Sequence, residues 1–371
     1  MKFELSERPA SWGHHFLVGL SGPALNRTDK ALLRKLRPAG IMLLANNFLK
    51  TPDGKALPYA QWLESLRSLL REAQSYAERE QFIVSIDHEG GRVMRAPAPV
   101  SLFPYARHQT RRVREVVAVM AVELKALGIN LVLGPVADVH SNPANPVIGE
   151  RSFASSPEIV TESVLAFCDE MAKHKLAVCP KHFPGHGDTA KDSHLELPIL
   201  DCTVDQLRNR ELAPFGALVK SGVPMIMTAH ILFPKVDPQY PATLSQRILK
   251  GILRDELGFN GVILTDDLDM KAVADRIQQP DSAAALLNSS ADIAIVSQHQ
   301  NPGAEHSLKI VDAMYRALRQ RLVNEDILHA SFVRTNVFLS KLPQSTVTQL
   351  TSQEIYANNQ LAQEITSEAQ G

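Results

Sequence analysis

The sequence predicts an α/β protein, a single-domain (β/α)8 TIM-type barrel with a C-terminal helical extension, and three observations point that way. Short runs rich in Val, Ile and Leu recur between longer amphipathic stretches, the pattern of parallel strands covered by crossover helices. Eight such runs can be counted. Polar residues follow their apolar cores, at Asp87, Asp138, Lys181 with His182, His230 and Asp266, where a closed barrel collects its chemistry at the C-terminal mouth. An open doubly wound sheet would gather ligands at one switch point instead, and no Gly-x-Gly-x-x-Gly or P-loop pattern supplies its phosphate cradle.

The predicted strands cover residues 16–20, 40–45, 82–87, 131–139, 177–183, 224–231, 261–267 and 291–297. Helical spacing of Leu, Val and Ala is clear over residues 59–80 and 107–127, and Gly128 is placed to end the second helix. Ser156, Pro157 and Glu158 read as an N-cap, a first-turn proline and an acidic first turn. A further helix is expected over residues 244–257, with Ser245 as a cap and Gly258 as its end. The barrel is assigned to residues 1–342, and residues 343–371 read as a polar helical tail.

Composition limits the function. Hydrophobic residues at 44% and charged residues at 21% fit a globular protein, and no apolar run reaches the length of a membrane span. Lys and Arg, 39 together, balance 40 Asp and Glu, so no overall positive field exists to collect nucleic acid or anionic lipid. The expected partner is a small molecule, and the expected state a monomer or weak homo-oligomer. The N-terminal stretch mixes charges and lacks a secretory h-region, which suggests the cytoplasm. Cys168, Cys179 and Cys202 show no paired spacing and read as reduced thiols in a reducing compartment.

Residues 181–194 form the most polar segment, Lys-His-Phe-Pro-Gly-His-Gly-Asp-Thr-Ala-Lys-Asp-Ser-His. As a metal site it offers His182, His186 and His194, but Pro184 and Gly185 preclude the helical geometry of common zinc enzymes, so no metal or other cofactor is expected. As a purely structural loop it carries too many ionisable groups on the face where barrel enzymes work. As a catalytic loop it fits: the glycines allow sharp turns and motion, and an Asp192 carboxylate orienting the His194 imidazole makes a proton shuttle near neutral pH.

The apolar run 262–265 then delivers Asp266, Asp267 and Asp269 to the rim. Asp269 reads as a cap for the next helix, whereas Asp266 is the strongest candidate nucleophile. A retaining glycosidase needs a carboxylate roughly 5–5.5 Å from its proton donor. A histidine on a mobile loop can fill the donor's role, protonating the leaving oxygen and later deprotonating water. Asp87, Arg95, Arg151 and the Lys181-His182 pair offer charged and forked partners for sugar hydroxyls.

These residues resemble the bacterial β-N-acetylhexosaminidases of glycoside hydrolase family 3, of the single-domain kind acting in peptidoglycan recycling. The resemblance runs from Gly13 to Ser297 through Asp-His-Glu-Gly-Gly-Arg-Val at 87–93, Gly-Pro-Val-Ala-Asp-Val at 134–139 and Gly-Glu-Arg-Ser-Phe at 149–153. It continues through 181–187, Asp-Ser-His at 192–194, Met-Thr-Ala-His at 227–230 and Thr-Asp-Asp at 265–267. It implies Asp266 as nucleophile, His194 as acid/base and Asp192 as its orienting partner. It also implies that Asp87, Arg95, Arg151, Lys181 and His182 hold the sugar, with no cofactor.

The implied reaction is release of N-acetylglucosamine from its β-1,4 link to 1,6-anhydro-N-acetylmuramic acid or its peptides, in the cytoplasm. His88 replaces the family's usual glutamine, and Met94 and Ala96 flank Arg95 where Gln-Arg-Phe is usual. Residues 276–281 are short and polar where relatives often carry a longer helical connection. Two other functions fit the same barrel: a phosphorylase, whose imidazole acid/base would repel incoming phosphate less than a carboxylate, and a non-catalytic sugar-binding protein.

Overall fold

Every strand core predicted above is a buried strand in the computed structural model, which describes residues 13–51, 53–55, 57–191, 195–298 and 304–370. The strands are β1 (Phe16–Gly19), β2 (Gly40–Leu43), β3 (Ile83–Ile86), β4 (Leu131–Val132), β5 (Ala177–Val178), β6 (Met225–Met227), β7 (Val262–Asp267) and β8 (Ile293–Val296). Consecutive strands pair in parallel except β5 with β6, and β1 also pairs with β8 through Phe16–Ala294 and Leu17–Ile295. The seam between β5 and β6 is closed just beyond β5. There Met227 N–H donates to Pro180 O at 2.9 Å, Phe183 N–H to Met227 O at 2.8 Å and Ala229 N–H to Phe183 O at 2.8 Å.

The predicted strands over 131–139 and 177–183 were too long. Only two residues of each are regular, because Pro135 and Pro180 have no amide hydrogen with which to continue a ladder. Pairing resumes as a single bridge from Val136 to Lys181. Alternation along the strands divides the core in two. Leu17, Ile83, Leu131, Met225, Leu264 and Ile293 fill the barrel, while Phe16, Val18, Ile41, Val84, Ile226 and Ile263 face the helices.

The helices are α1 (Arg27–Leu36), α2 (Tyr59–Ala77), α3 (Val113–Ala126), α4 (Pro157–Lys173), α5 (Val204–Asn209), α6 (Leu212–Lys220), α7 (Pro280–Asn288), α8 (Ala304–Arg319), α9 (Glu325–Lys341) and α10 (Ser352–Gln370). Their expected stops are present. Ser156 Oγ accepts from Ile159 N–H with Pro157 in the first turn of α4, and Gly128 after α3 has φ of 78°. Ser245 Oγ accepts from Ile248 N–H at 3.2 Å, but the segment Arg247–Glu256 that follows is wound as a π-helix rather than an α-helix. Among the described residues no helix is long and apolar enough to cross a membrane. The three cysteines are free, and burial pushes the Cys202 thiol up to about 11.

Candidate active site

Immediately after β3 the chain folds into an antiparallel hairpin, His88–Gly90 against Val93–Met94. Gly90 adopts φ of 109°, and a Cβ there would lie 2.3 Å from Pro104 O, so only glycine fits. The extended backbone turns Asp87 and Glu89 to one side and His88 to the other. Lys181, 3% exposed, bridges the two acids, with Nζ 2.7 Å from Asp87 Oδ1 and 2.6 Å from Glu89 Oε1. Arg151 closes the other side of Glu89 with a fork, Nε to Oε2 at 2.8 Å and Nη2 to Oε1 at 2.9 Å.

Burial alone would raise the Glu89 carboxyl, but Arg151 and then Lys181 hold it well below the usual carboxylate range. The same attraction outweighs burial at Lys181, whose ammonium is held above its ordinary value by Asp87 and Glu89. Glu89, Arg151 and Lys181 are therefore ionised throughout the neutral range. Arg95 approaches it more loosely, with Nη2 3.7 Å from Asp87 Oδ2.

The chain after β5 carries His182 and His186 over the mouth. Asp138, fully buried, accepts from His182 Nδ1 at 2.7 Å, from His182 N–H at 3.1 Å and from His186 N–H at 2.7 Å. A carboxylate only accepts, so Nδ1 of His182 carries a hydrogen and Nε2 is its remaining polar atom. Burial, then His182, pulls the His186 imidazole down to about 4. The glycines here secure packing before motion: a Cβ on Gly187 would fall 1.7 Å from Val139 O. Asn145 Nδ2 donates to His186 O at 2.8 Å, holding the same segment down.

β7 ends with Asp266 and Asp267. Asp266 Oδ1 accepts from Asp267 N–H at 2.8 Å, and Asp266 N–H donates to Thr228 Oγ1 at 3.3 Å. Thr228 and Thr243 hydroxyls are 2.8 Å apart, and His230 spans from Thr243 Oγ1 to Asp267 O at 2.8 and 2.9 Å. Asp267 turns inward to Ser297, and burial pushes its carboxyl up to about 7. Asp269 does not cap a helix. The chain after it runs through turns until α7 begins at Pro280, and the buried Asp269 carboxylate faces His306 of α8 at 3.8 Å.

A cavity of about 320 Å³ opens between these elements, lined by Asp87, Arg95, Arg151, Lys181, His182 and Asp266, with Glu89, Arg92, Met42, Met227 and Ile295 among its other walls. Six of the eight residues singled out in the sequence thus share one sugar-sized space. The other two, Asp192 and His194, lie outside the described residues; their flanks are joined by a Lys191–Glu196 ion pair at 2.8 Å. Arg151 is less available than expected, since Nε and Nη2 bind Glu89 and Nη1 donates to Val147 O at 3.3 Å. Glu89 escaped the sequence reading although its signal was present, two residues from Asp87 in an extended run. Asp138 is visible in the sequence as a polar strand end with no role attached to it, and the Thr228–Thr243 link has no local signal.

Residues 14–335 match the glycosyl hydrolase family 3 N terminal domain. The chain is 34% identical over 289 residues to a β-hexosaminidase of Idiomarina loihiensis, spanning 76% of this chain and 82% of that protein. It is 32% identical over 337 residues to β-hexosaminidase A of Pseudoalteromonas piscicida, covering 85% of this chain but only 55% of that longer relative. Among solved structures, that of NagZ from Neisseria gonorrhoeae in complex with N-trifluoroacetyl-D-glucosamine superposes with a TM-score of 0.69 at 28% identity, covering 96% of this chain and 98% of that one.

Proposed function

The chain belongs to glycosyl hydrolase family 3 and is a glycoside hydrolase, and from that premise we propose that it removes terminal β-linked N-acetylglucosamine with retention of configuration. The observation that carries the reading is the meeting of Asp266 with Asp87, Arg95, Lys181 and His182 around one cavity at the barrel mouth. The relatives named β-hexosaminidase, and the neighbour holding an N-acylated glucosamine, favour an amino sugar there.

In this reading the Asp266 carboxylate attacks the anomeric carbon as the bond to the glycosidic oxygen breaks. His194, oriented by Asp192, gives its proton to the departing oxygen. The same imidazole then takes a proton from water, which displaces Asp266 and releases the sugar. Asp87, Arg95, Arg151, Lys181 and His182 hold the hydroxyls, and Glu89 keeps Arg151 and Lys181 ionised and fixed beside them. The substrate is N-acetylglucosamine linked β-1,4 to 1,6-anhydro-N-acetylmuramic acid or its peptides, processed in the cytoplasm.

The test is covalent trapping. Incubation with a 2-acetamido-2-deoxy-5-fluoro glycosyl fluoride, proteolysis and mass spectrometry should place the sugar on the peptide containing Thr265, Asp266 and Asp267. An adduct on another peptide would remove Asp266 from the nucleophile's role. Inhibition with no adduct would remove the covalent step itself.

A further inference from the structure

Residues 96–105 form a strap that joins the site hairpin to the start of α3, and its two edges are gripped by different parts of the molecule. On the inner edge, Gly91 N–H donates to Phe103 O at 2.9 Å, and the buried Gln109 amide donates both to Pro104 O at 2.6 Å and to Glu89 O at 3.1 Å. The glycine at position 90 lets the hairpin press directly on Pro104 O. The hairpin that carries Glu89, and that Asp87 and Arg95 flank, is therefore seated against the strap through backbone and amide hydrogen bonds.

On the outer edge the grip comes from the C-terminal helix, more than 230 residues away in the chain. Glu123 of α3, fully buried, accepts from Ser101 N–H at 3.0 Å, Ser101 Oγ at 2.7 Å and Asn358 Nδ2 of α10 at 3.1 Å. Asn359 Nδ2 donates to Pro99 O at 3.0 Å, and the Trp62 indole donates to Ala98 O at 3.2 Å. Ala362 and Ile365 bury the apolar face of α10, and Arg112 before α3 pairs with Glu364 at 2.7 Å and Glu368 at 2.9 Å. Two α10 amides thus bear on the strap, one directly and one through a carboxylate that burial makes costly to leave unmatched.

We propose that α10 is a positioning element for sugar binding: through Asn358, Asn359 and the Glu123 carboxylate it fixes the strap on which the hairpin rests, and so sets the affinity of the mouth for its amino sugar. The proposal rests on the reading of Asp87 and Arg95 as sugar-holding groups. It distinguishes α10 from a helix that merely covers apolar surface, because a cover would change stability without dividing binding from turnover.

The experiment compares Asn358→Leu, Asn359→Leu and the double variant with the unmodified full chain, on a chromogenic β-N-acetylglucosaminide and by calorimetric titration with free N-acetylglucosamine. Both asparagines are partly exposed, and a melting curve checks that each variant is folded. Losing two hydrogen bonds that act through the strap should raise KM and the sugar's Kd by about 3–10-fold in the double variant. The kcat should stay within about twofold, because Asp266 stands on a different element. In a Trp12→Phe background, which leaves Trp62 as the sole tryptophan, the emission of the double variant should also shift as the strap loosens.

Unchanged KM and Kd in the folded double variant would overturn the proposal, as would a fall in kcat alone. Asp87→Asn is measured in parallel. If it raises KM and Kd while the α10 variants do not, the sugar-holding reading stands and the α10 proposal fails; if Asp87→Asn changes neither, the underlying reading fails first.

Discussion

At the N-terminal end of the barrel Asp292, just before β8, is buried between Arg254 and Arg334; at the C-terminal end Glu89 is buried between Arg151 and Lys181. The two clusters begin alike and differ one bond further out. Asp292 takes Arg254 Nη2 at 2.6 Å and Ile263 N–H at 2.7 Å on one oxygen and the Arg334 guanidinium at 2.8 Å on the other, which matches its acceptor capacity. Around Glu89 the bonding runs on to Lys181 and Asp87, then weakens at Arg95, which lines the mouth cavity and whose Nε has no hydrogen-bond partner among the described residues; Arg254 Nε also lacks one, but Arg254 does not line the groove beside its cluster.

Cavity size would choose the other end. A groove of about 790 Å³ lies beside the Asp292 cluster, against 320 Å³ at the mouth, but its walls are mainly apolar, including Leu176, Phe259, Val262, Val337 and Phe338. A buried ion pair thus marks a site only where unspent polar capacity adjoins the space. The bottom cluster stitches β7, β8 and α9 together, and the mouth cluster holds groups ready for a ligand.

The difference is sharpest in the response to substitution. Asp266→Ala should lower turnover by roughly 10⁴-fold or more while thermal unfolding barely moves, since the residue supports chemistry rather than packing. Steady-state rates beside a melting curve check both halves, and a variant with near wild-type rates would end the nucleophile assignment. Asp292→Ala should do the reverse. Leaving Arg254 and Arg334 buried without their carboxylate should cost about 3–5 kcal/mol in denaturant unfolding, with KM unaltered in the protein that remains folded.

Glu89→Gln tests whether the comparison is as clean as that, because Glu89 belongs to the mouth yet is buried, as Asp292 is. The expected outcome is a mixed effect: about 3 kcal/mol of lost stability together with a raised KM, as Lys181 and Arg151 shift towards Asp87. Its pH dependence has a definite sign. The folded carboxyl lies below the unfolded value of 4.5, so its contribution is present in full above pH 4.5 and fades as pH falls through the folded value. Wild-type and variant unfolding curves should therefore converge on acidification, and a gap that widened instead would reverse the assigned role.

The same contrast governs what the sequence could disclose. The eight strands were legible because parallel strands buried on both faces leave apolar runs, and the mouth was legible because polar side chains end those runs. Asp292 sits within such a run, and its partners Arg254 and Arg334 lie 38 and 42 residues away, so nothing local identifies the cluster. The π-winding of Arg247–Glu256 was equally hidden, since apolar spacing does not distinguish closely related helical windings over ten residues. Pro135 and Pro180 mark the limit of two strands in the sequence itself: the apolar pattern runs on past the point where the backbone can pair.

The last test lies where the two kinds of region meet, at Asp267. Its backbone touches the Asp266 carboxylate, but its own side chain turns into the protein, where Ser297 N–H and Asp269 N–H each donate to Oδ1 at 3.0 Å. Burial is the dominant cause that lifts its carboxyl from 3.8 to about 7, against those hydrogen bonds. Because the folded value lies above the unfolded one, its contribution is fully present below pH 3.8 and is lost as pH rises through about 7. Asp267→Asn keeps an accepting oxygen for the two amides and offers an N–H to the Ser297 hydroxyl, without a charge to desolvate. Relative to wild type, the variant should gain about 4 kcal/mol in unfolding free energy between acid and neutral pH. Parallel stability profiles would instead mean that Asp267 is ionised throughout, and that the hydrogen bonds from Ser297 and Asp269 outweigh the cost of burying its charge.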